Sequence, residues 1–135
     1  MTMPEGYTTD PGHDPAEDHI GPFYYRKDEA GFRYAFLADE RHCNVVKVVH
    51  GGVLMTFADF AASMEATNNY DGEDCVTISF SSEFVSAGPL GSLIEAECEV
   101  TRKTRAMAFV RGKVMSGDNV LLTFSSVMKR LPHDQ

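Results

Sequence analysis

His50-Gly51-Gly52-Val53-Leu54-Met55-Thr56-Phe57-Ala58-Asp59-Phe60-Ala61-Ala62-Ser63-Met64-Glu65-Ala66-Thr67-Asn68 reads as a His-Gly-Gly turn running into an apolar helix. From Val53 to Asn68 only Asp59 and Glu65 are charged. Apolar residues fall almost all round the helical wheel, which predicts a helix over roughly 52–68 that is buried on most faces. Asn68-Asn69-Tyr70-Asp71-Gly72 supplies the turn residues that stop it. Asp59 has no Lys or Arg three or four positions away; its neighbours there are Met55, Thr56, Ala62 and Ser63. A carboxylate in such a setting is costly unless something compensates it, and buried, unpaired acids are often catalytic.

Working outward, Phe23-Tyr24-Tyr25-Arg26 and Phe32-Arg33-Tyr34-Ala35-Phe36-Leu37 flank Lys27-Asp28-Glu29-Ala30-Gly31, a predicted hairpin with Gly31 in its turn. Residues 38–49 connect this hairpin to the helix. Beyond the helix, Val76, Ile78 and Phe80 alternate with Thr77, Ser79 and Ser81, and Ile94, Ala96, Cys98 and Val100 alternate with Glu95, Glu97, Glu99 and Thr101. Residues 105–115 and 120–128 complete a meander. A three-residue turn after Arg102 would set Glu97 opposite Arg111. One long helix with five or six antiparallel strands predicts an α+β domain in which the sheet wraps the helix.

At 135 residues the chain makes one ordinary domain, 43% hydrophobic and 24% charged, with a net charge of −8. That acidity argues against a nucleic-acid binder. No stretch approaches the ~18 apolar residues of a membrane span, and the first nineteen residues lack the pattern of a secretory signal. The three cysteines, Cys43, Cys75 and Cys98, are odd in number and unpaired by spacing, which predicts reduced thiols and a cytoplasmic protein. Residues 1–19 hold five acids and no Lys or Arg, and read as a poorly ordered polar leader before a domain at 20–135. Arg102, Lys103, Arg105, Arg111 and Lys113 form a basic stretch, either a solvated hairpin or a phosphate site.

Two glycines at a helix start leave backbone N–H groups bare at the positive end of the helix dipole, a site for an anion or developing oxyanion. Gly51 and Asp59 are eight residues apart, about 12 Å along a helix. An acid that far away cannot act on a carbonyl held at the same helix's N-terminus. Two such helices, antiparallel across a twofold axis, would bring Gly51 of one subunit near Asp59 of the other. If both serve one reaction, the protein is at least a dimer with shared sites.

Asn44, five residues, His50-Gly51-Gly52 and then Asp59 resemble the signature of hotdog-fold acyl-CoA thioesterases of the phenylacetyl-CoA (PaaI-like) type, over about residues 20–131. The resemblance implies a central helix wrapped by an antiparallel sheet, dimers that often pair into tetramers, and acyl-CoA hydrolysis without a cofactor. It implies that the Gly51 N–H binds the thioester oxygen, with Asn44 and His50 polarising or orienting that carbonyl. It also implies that Asp59 of the second chain is general base or nucleophile, and that Thr77 positions the water or the acid. The basic stretch falls where relatives meet CoA phosphates, and Arg102 and Arg105 are the candidates taken from it. Gly52, Met55 and Phe80 are candidates for substrate contact; Met55, Met64, Phe57, Phe60, Phe80 and Phe84 are the candidates to line an acyl or aryl pocket, most of them expected to be simply core. One departure stands out: relatives have a glycine three residues before the histidine, where this chain has Lys47.

Other readings are weaker. His42, Cys43, His50 and Asp59 lack a metal-ligand spacing, so no metal is expected. Cys43 beside His42 reads as packing rather than as a nucleophile. A non-catalytic acyl-CoA or acyl-carrier binding module is the alternative function, supported by Lys47 and opposed by the intact Asp59. A hotdog dehydratase or hydratase shares the fold but uses a different motif.

Overall fold

A computed structural model describes residues 2–134; Gln135, the end of the predicted domain, lies just outside them, as does Met1. A short helix α1 (Pro15–Ile20) precedes the hairpin β1 (Tyr24–Asp28) and β2 (Gly31–Leu37). The long helix α2 (Gly51–Thr67) follows, and then β3 (Glu73–Phe84), β4 (Leu93–Lys103), β5 (Met107–Ser116) and β6 (Asn119–Pro132). The six strands form one antiparallel sheet in the order β1-β2-β4-β5-β6-β3. Both hairpin halves fall as predicted, with Gly31 at φ 108 closing the Glu29-Ala30 turn. No helix among the described residues is long and apolar enough to cross a membrane.

Small residues let the sheet pack close on α2. Ala58, Ala61, Ala62 and Ala66 of α2 are buried, as are Ala96 and Ala108 of the sheet. Phe57 and Phe60 fill the wider part of the core with Phe23, Tyr34 and Phe36, their rings meeting at centroid distances of 4.8–6.2 Å. At its far end α2 stops on three successive left-handed residues, Asn68, Asn69 and Tyr70. Lys103 Nζ donates to the Ala66 carbonyl there at 2.6 Å, a cation at the negative end of the helix. Lys103 also pairs with the buried Glu73, which Arg130 grips through two nitrogens at 2.8 and 3.0 Å. Those bonds hold the Glu73 carboxyl below the usual carboxylate range.

Three details differ from the sequence reading. The β3 alternation breaks phase at a bulge between Thr77 and Ser79. Before it Thr77 turns inward while Val76 and Ile78 stand 47% and 57% exposed; after it Phe80 packs on the core. Across β4 and β5, a longer turn and a bulge between Val100 and Arg102 move the register by two. Glu99 therefore faces Arg111 and Glu97 faces Lys113. The leader is also more engaged than its composition suggests. Thr8 exchanges backbone hydrogen bonds with Tyr25, Tyr7 donates to Glu95, and Arg41 and His42 hold the backbone at the end of α1.

Candidate active site

The loop entering α2 is a small closed hairpin. The His50 N–H donates to the His42 carbonyl, Cys43 bridges Val49, and the Asn44 N–H donates to the Val48 carbonyl. Asn44 Oδ1 accepts from the N–H groups of Val46 and Val48 at 3.1 and 3.3 Å. That holds the turn with the acceptor half of the amide, while its NH2 donates to nothing among the described residues. Lys47 occupies this turn at φ 65, the left-handed conformation a glycine would supply. A lysine is thus accommodated in a conformation that favours glycine.

His50 is the N-cap of α2. Its Nδ1 accepts the Gly52 N–H at 3.1 Å, so the ring proton sits on Nε2 and points a donor away from the helix. The His50 carbonyl takes the N–H groups of Val53 and Leu54 at 2.9 and 3.2 Å. Of the four amides in the first turn, only that of Gly51 is without an acceptor among the described residues. Gly52, expected to offer a second bare amide, has spent it on the cap.

Two turns on, Asp59 lies under β3. Thr77 Oγ1 donates to Asp59 Oδ1 at 2.5 Å, so the bulged strand brings this predicted pair together. Burial raises the Asp59 pKa; the Thr77 bond opposes that shift and the nearby Asp14 carboxylate adds to it. Here the sequence reading missed a neighbour. Asp14 and Glu17 on α1 face Asp59 electrostatically, and Glu17 is pushed up to about 8 by burial and by Asp14, Asp59 and Asp18. The signal was present as Asp14-Pro15-Ala16-Glu17, an N-cap acid, a proline at the first helical position and an acid in the first turn.

The remaining candidates separate by their partners. Met55 is 36% exposed one turn after Gly51, whereas Phe80 stacks on Phe124 at 5.8 Å within the core. In the basic stretch Lys103, Arg111 and Lys113 are tied to Glu73, Glu99 and Glu97. Arg102 and Arg105 are exposed and make no ion pair among the described residues. His42, buried and bonded through both ring nitrogens to backbone at Asp39 and Ile20, has a structural place.

The thioesterase superfamily model matches residues 46–123, over half of the sequence and the whole span from the Lys47 turn to β6. The chain belongs to the thioesterase superfamily. A Pseudomonas aeruginosa protein provisionally named an esterase is 30% identical over 129 residues, covering 94% of this chain and 96% of that one. Among solved structures, a Bacillus halodurans protein crystallised with CoA superposes with a TM-score of 0.78 at 19% identity, covering 93% of this chain and 83% of that one. A Ralstonia eutropha phenylacetic acid degradation-related protein gives 0.76 at 21% identity, covering 86% and 90%. At those identities the structures establish the shared hotdog fold of this superfamily member, which matches the predicted architecture.

Proposed function

We propose that the protein hydrolyses an acyl-CoA thioester in a site shared by two subunits. The observation that carries this is the separation of the unpaired Gly51 N–H from the Thr77-bonded Asp59. Eight residues of unbroken helix, about 12 Å, lie between them. Strand β3 offers the way to join them. Its outer edge pairs with no strand among the described residues, and it exposes Val76 and Ile78. Gly51 abuts Phe84 and Asp59 bonds Thr77, and those two residues stand seven positions apart on β3. Antiparallel pairing of two β3 edges, centred between Phe80 and Ser81, sets each Thr77 opposite the partner's Phe84. Each Gly51 N–H then faces the partner's Asp59.

In such a site the thioester oxygen accepts from the Gly51 N–H, with the Asn44 NH2 and the protonated His50 nitrogen as further donors. Asp59, steadied by Thr77, removes a proton from water as the water oxygen bonds to the carbonyl carbon. The tetrahedral oxyanion sits on the Gly51 amide at the helix N-terminus. Collapse breaks the C–S bond, and the proton held by Asp59 passes to the departing thiolate, giving acid and CoA. A raised pKa makes Asp59 a stronger base than a surface aspartate. Direct attack by the carboxylate, forming an anhydride, is the variant route. Heavy-oxygen label entering the enzyme in a single turnover distinguishes it.

CoA as the leaving group is supported by Arg102 and Arg105, the two unpaired cations of the basic stretch, and by the CoA held in the Bacillus halodurans structure. The alternative of a silent binding module rests on Lys47, and the left-handed conformation that this lysine adopts weighs against a loop rebuilt around it.

The test is complementation between Asp59→Asn and Asn44→Asp. Aspartate keeps the oxygen that accepts from Val46 and Val48, and with it the turn, while it removes the NH2 donor and sets a like charge against the developing oxyanion. Each variant alone is expected to lose most of kcat. Subunits mixed from the unfolded state should regain about a quarter of parent activity, because half the dimers are mixed and each holds one intact site. No recovery would place the whole reaction in one chain and sink the shared-site reading.

A further inference from the structure

Gly51 is in ordinary helical conformation, and no positive φ is recorded there, so its backbone does not require glycine. Space is the tighter constraint. A Cβ on Gly51 would lie 2.9 Å from Phe84 Cζ and 3.0 Å from Cε1, so the end of the ring would have to shift to admit it. Phe84 ends β3 with its ring against Gly51, yet it is 56% exposed, an unusual state for an aromatic that touches a helix N-terminus. Val85, the next residue, and Met55, one turn after Gly51, are also 58% and 36% exposed. The far end of the ring is therefore set against Gly51, and more than half of the residue is open.

We propose that Phe84 is a specificity-determining residue whose ring walls the thioester site beside the Gly51 N–H and limits the bulk an acyl group can carry next to its carbonyl. The inference rests on the thioesterase reading above. An oxygen accepting from that amide lies about 2.9 Å from a nitrogen itself 1.46 Å from Cα. A ring packed against the same Cα then flanks the oxygen and the carbonyl carbon behind it. Water is kept off that flank, which strengthens the amide's hold on a developing oxyanion. The same wall leaves room for a CH2 beside the carbonyl and little for a second substituent there. Unbranched acyl groups fit, and α-branched ones press on the ring.

The experiment compares kcat/KM for n-butyryl-CoA and pivaloyl-CoA in the parent, Phe84→Ala and Phe84→Leu, with melting curves to confirm folding. The parent is expected to favour the straight chain by at least about tenfold, the range one or two methyl groups command in a shaped pocket. Phe84→Ala should cut that ratio about fivefold or more, with Phe84→Leu intermediate; Leu carries the test if the alanine variant does not fold. An unchanged ratio in folded variants, or a parent indifferent to branching, overturns the proposal while leaving hydrolysis intact. Absence of thiol release from every CoA ester by the parent overturns the thioesterase reading and this inference with it.

Discussion

At φ 65 Lys47 holds a conformation that costs a side-chain-bearing residue about 1–2 kcal/mol. The backbone bonds of the Asn44 turn keep it there. Lys47→Gly should recover about 1 kcal/mol after the extra freedom of an unfolded glycine is deducted. That corresponds to a melting temperature higher by about 3 °C, with kcat unchanged. A lower melting temperature would show that the lysine side chain contributes more than its backbone costs. Glu17 gives a second residue-scale prediction. The unfolded chain releases this proton near the ordinary carboxyl value, the folded chain at about 8. Folding takes up a proton between those values, so stability falls as pH rises through that window. Glu17→Gln should therefore stabilise the protein more at about pH 8.5 than at about pH 5 by thermal melts, and equal gains would contradict the burial of that carboxyl.

Among the elements, legibility followed locality. Helix α2 could be read because its apolar run, its one unpaired acid and its Asn-rich stop all lie within one stretch of chain. The β1–β2 hairpin was legible for the same reason, since Gly31 marks the turn by itself. In the leader the acids and prolines dominate the composition, while Asp14-Pro15-Ala16-Glu17 carries a local start signal for α1. The β4–β5 register could not be read, because two bulk-neutral decisions, turn length and the bulge near Thr101, decide it through hydrogen bonding alone. In the site, Asp59 announced itself by its isolation, and the spacing to Asn44 by resemblance. The pairing of Asp59 with Thr77, the spent Gly52 amide and the nearness of α1 all depend on tertiary placement, which no window of sequence contains.

For the whole molecule, the exposed outer edge of β3 is the surface on which the proposed function depends. Replacing Val76 and Ile78 together by Lys places like charges along that edge and removes apolar cover, the device natural proteins use to keep edges unpaired. The double variant is expected to sediment as a monomer with its sheet intact by circular dichroism. Its specific activity should fall by an order of magnitude or more, and should rise with protein concentration as dimers form by mass action. A monomer of full activity would separate assembly from catalysis.

The seven-residue interval from Thr77 to Phe84 then acquires the character of a ruler. In the proposed dimer a twofold axis would act on every displacement twice, so one residue gained or lost inside that interval would misalign both proposed sites at once. The turns on either side of β3 carry no such constraint. On that reading a change of length is tolerated only at the ends of the strand, and the bulge at Ile78 stands inside the measured span as part of its fixed length.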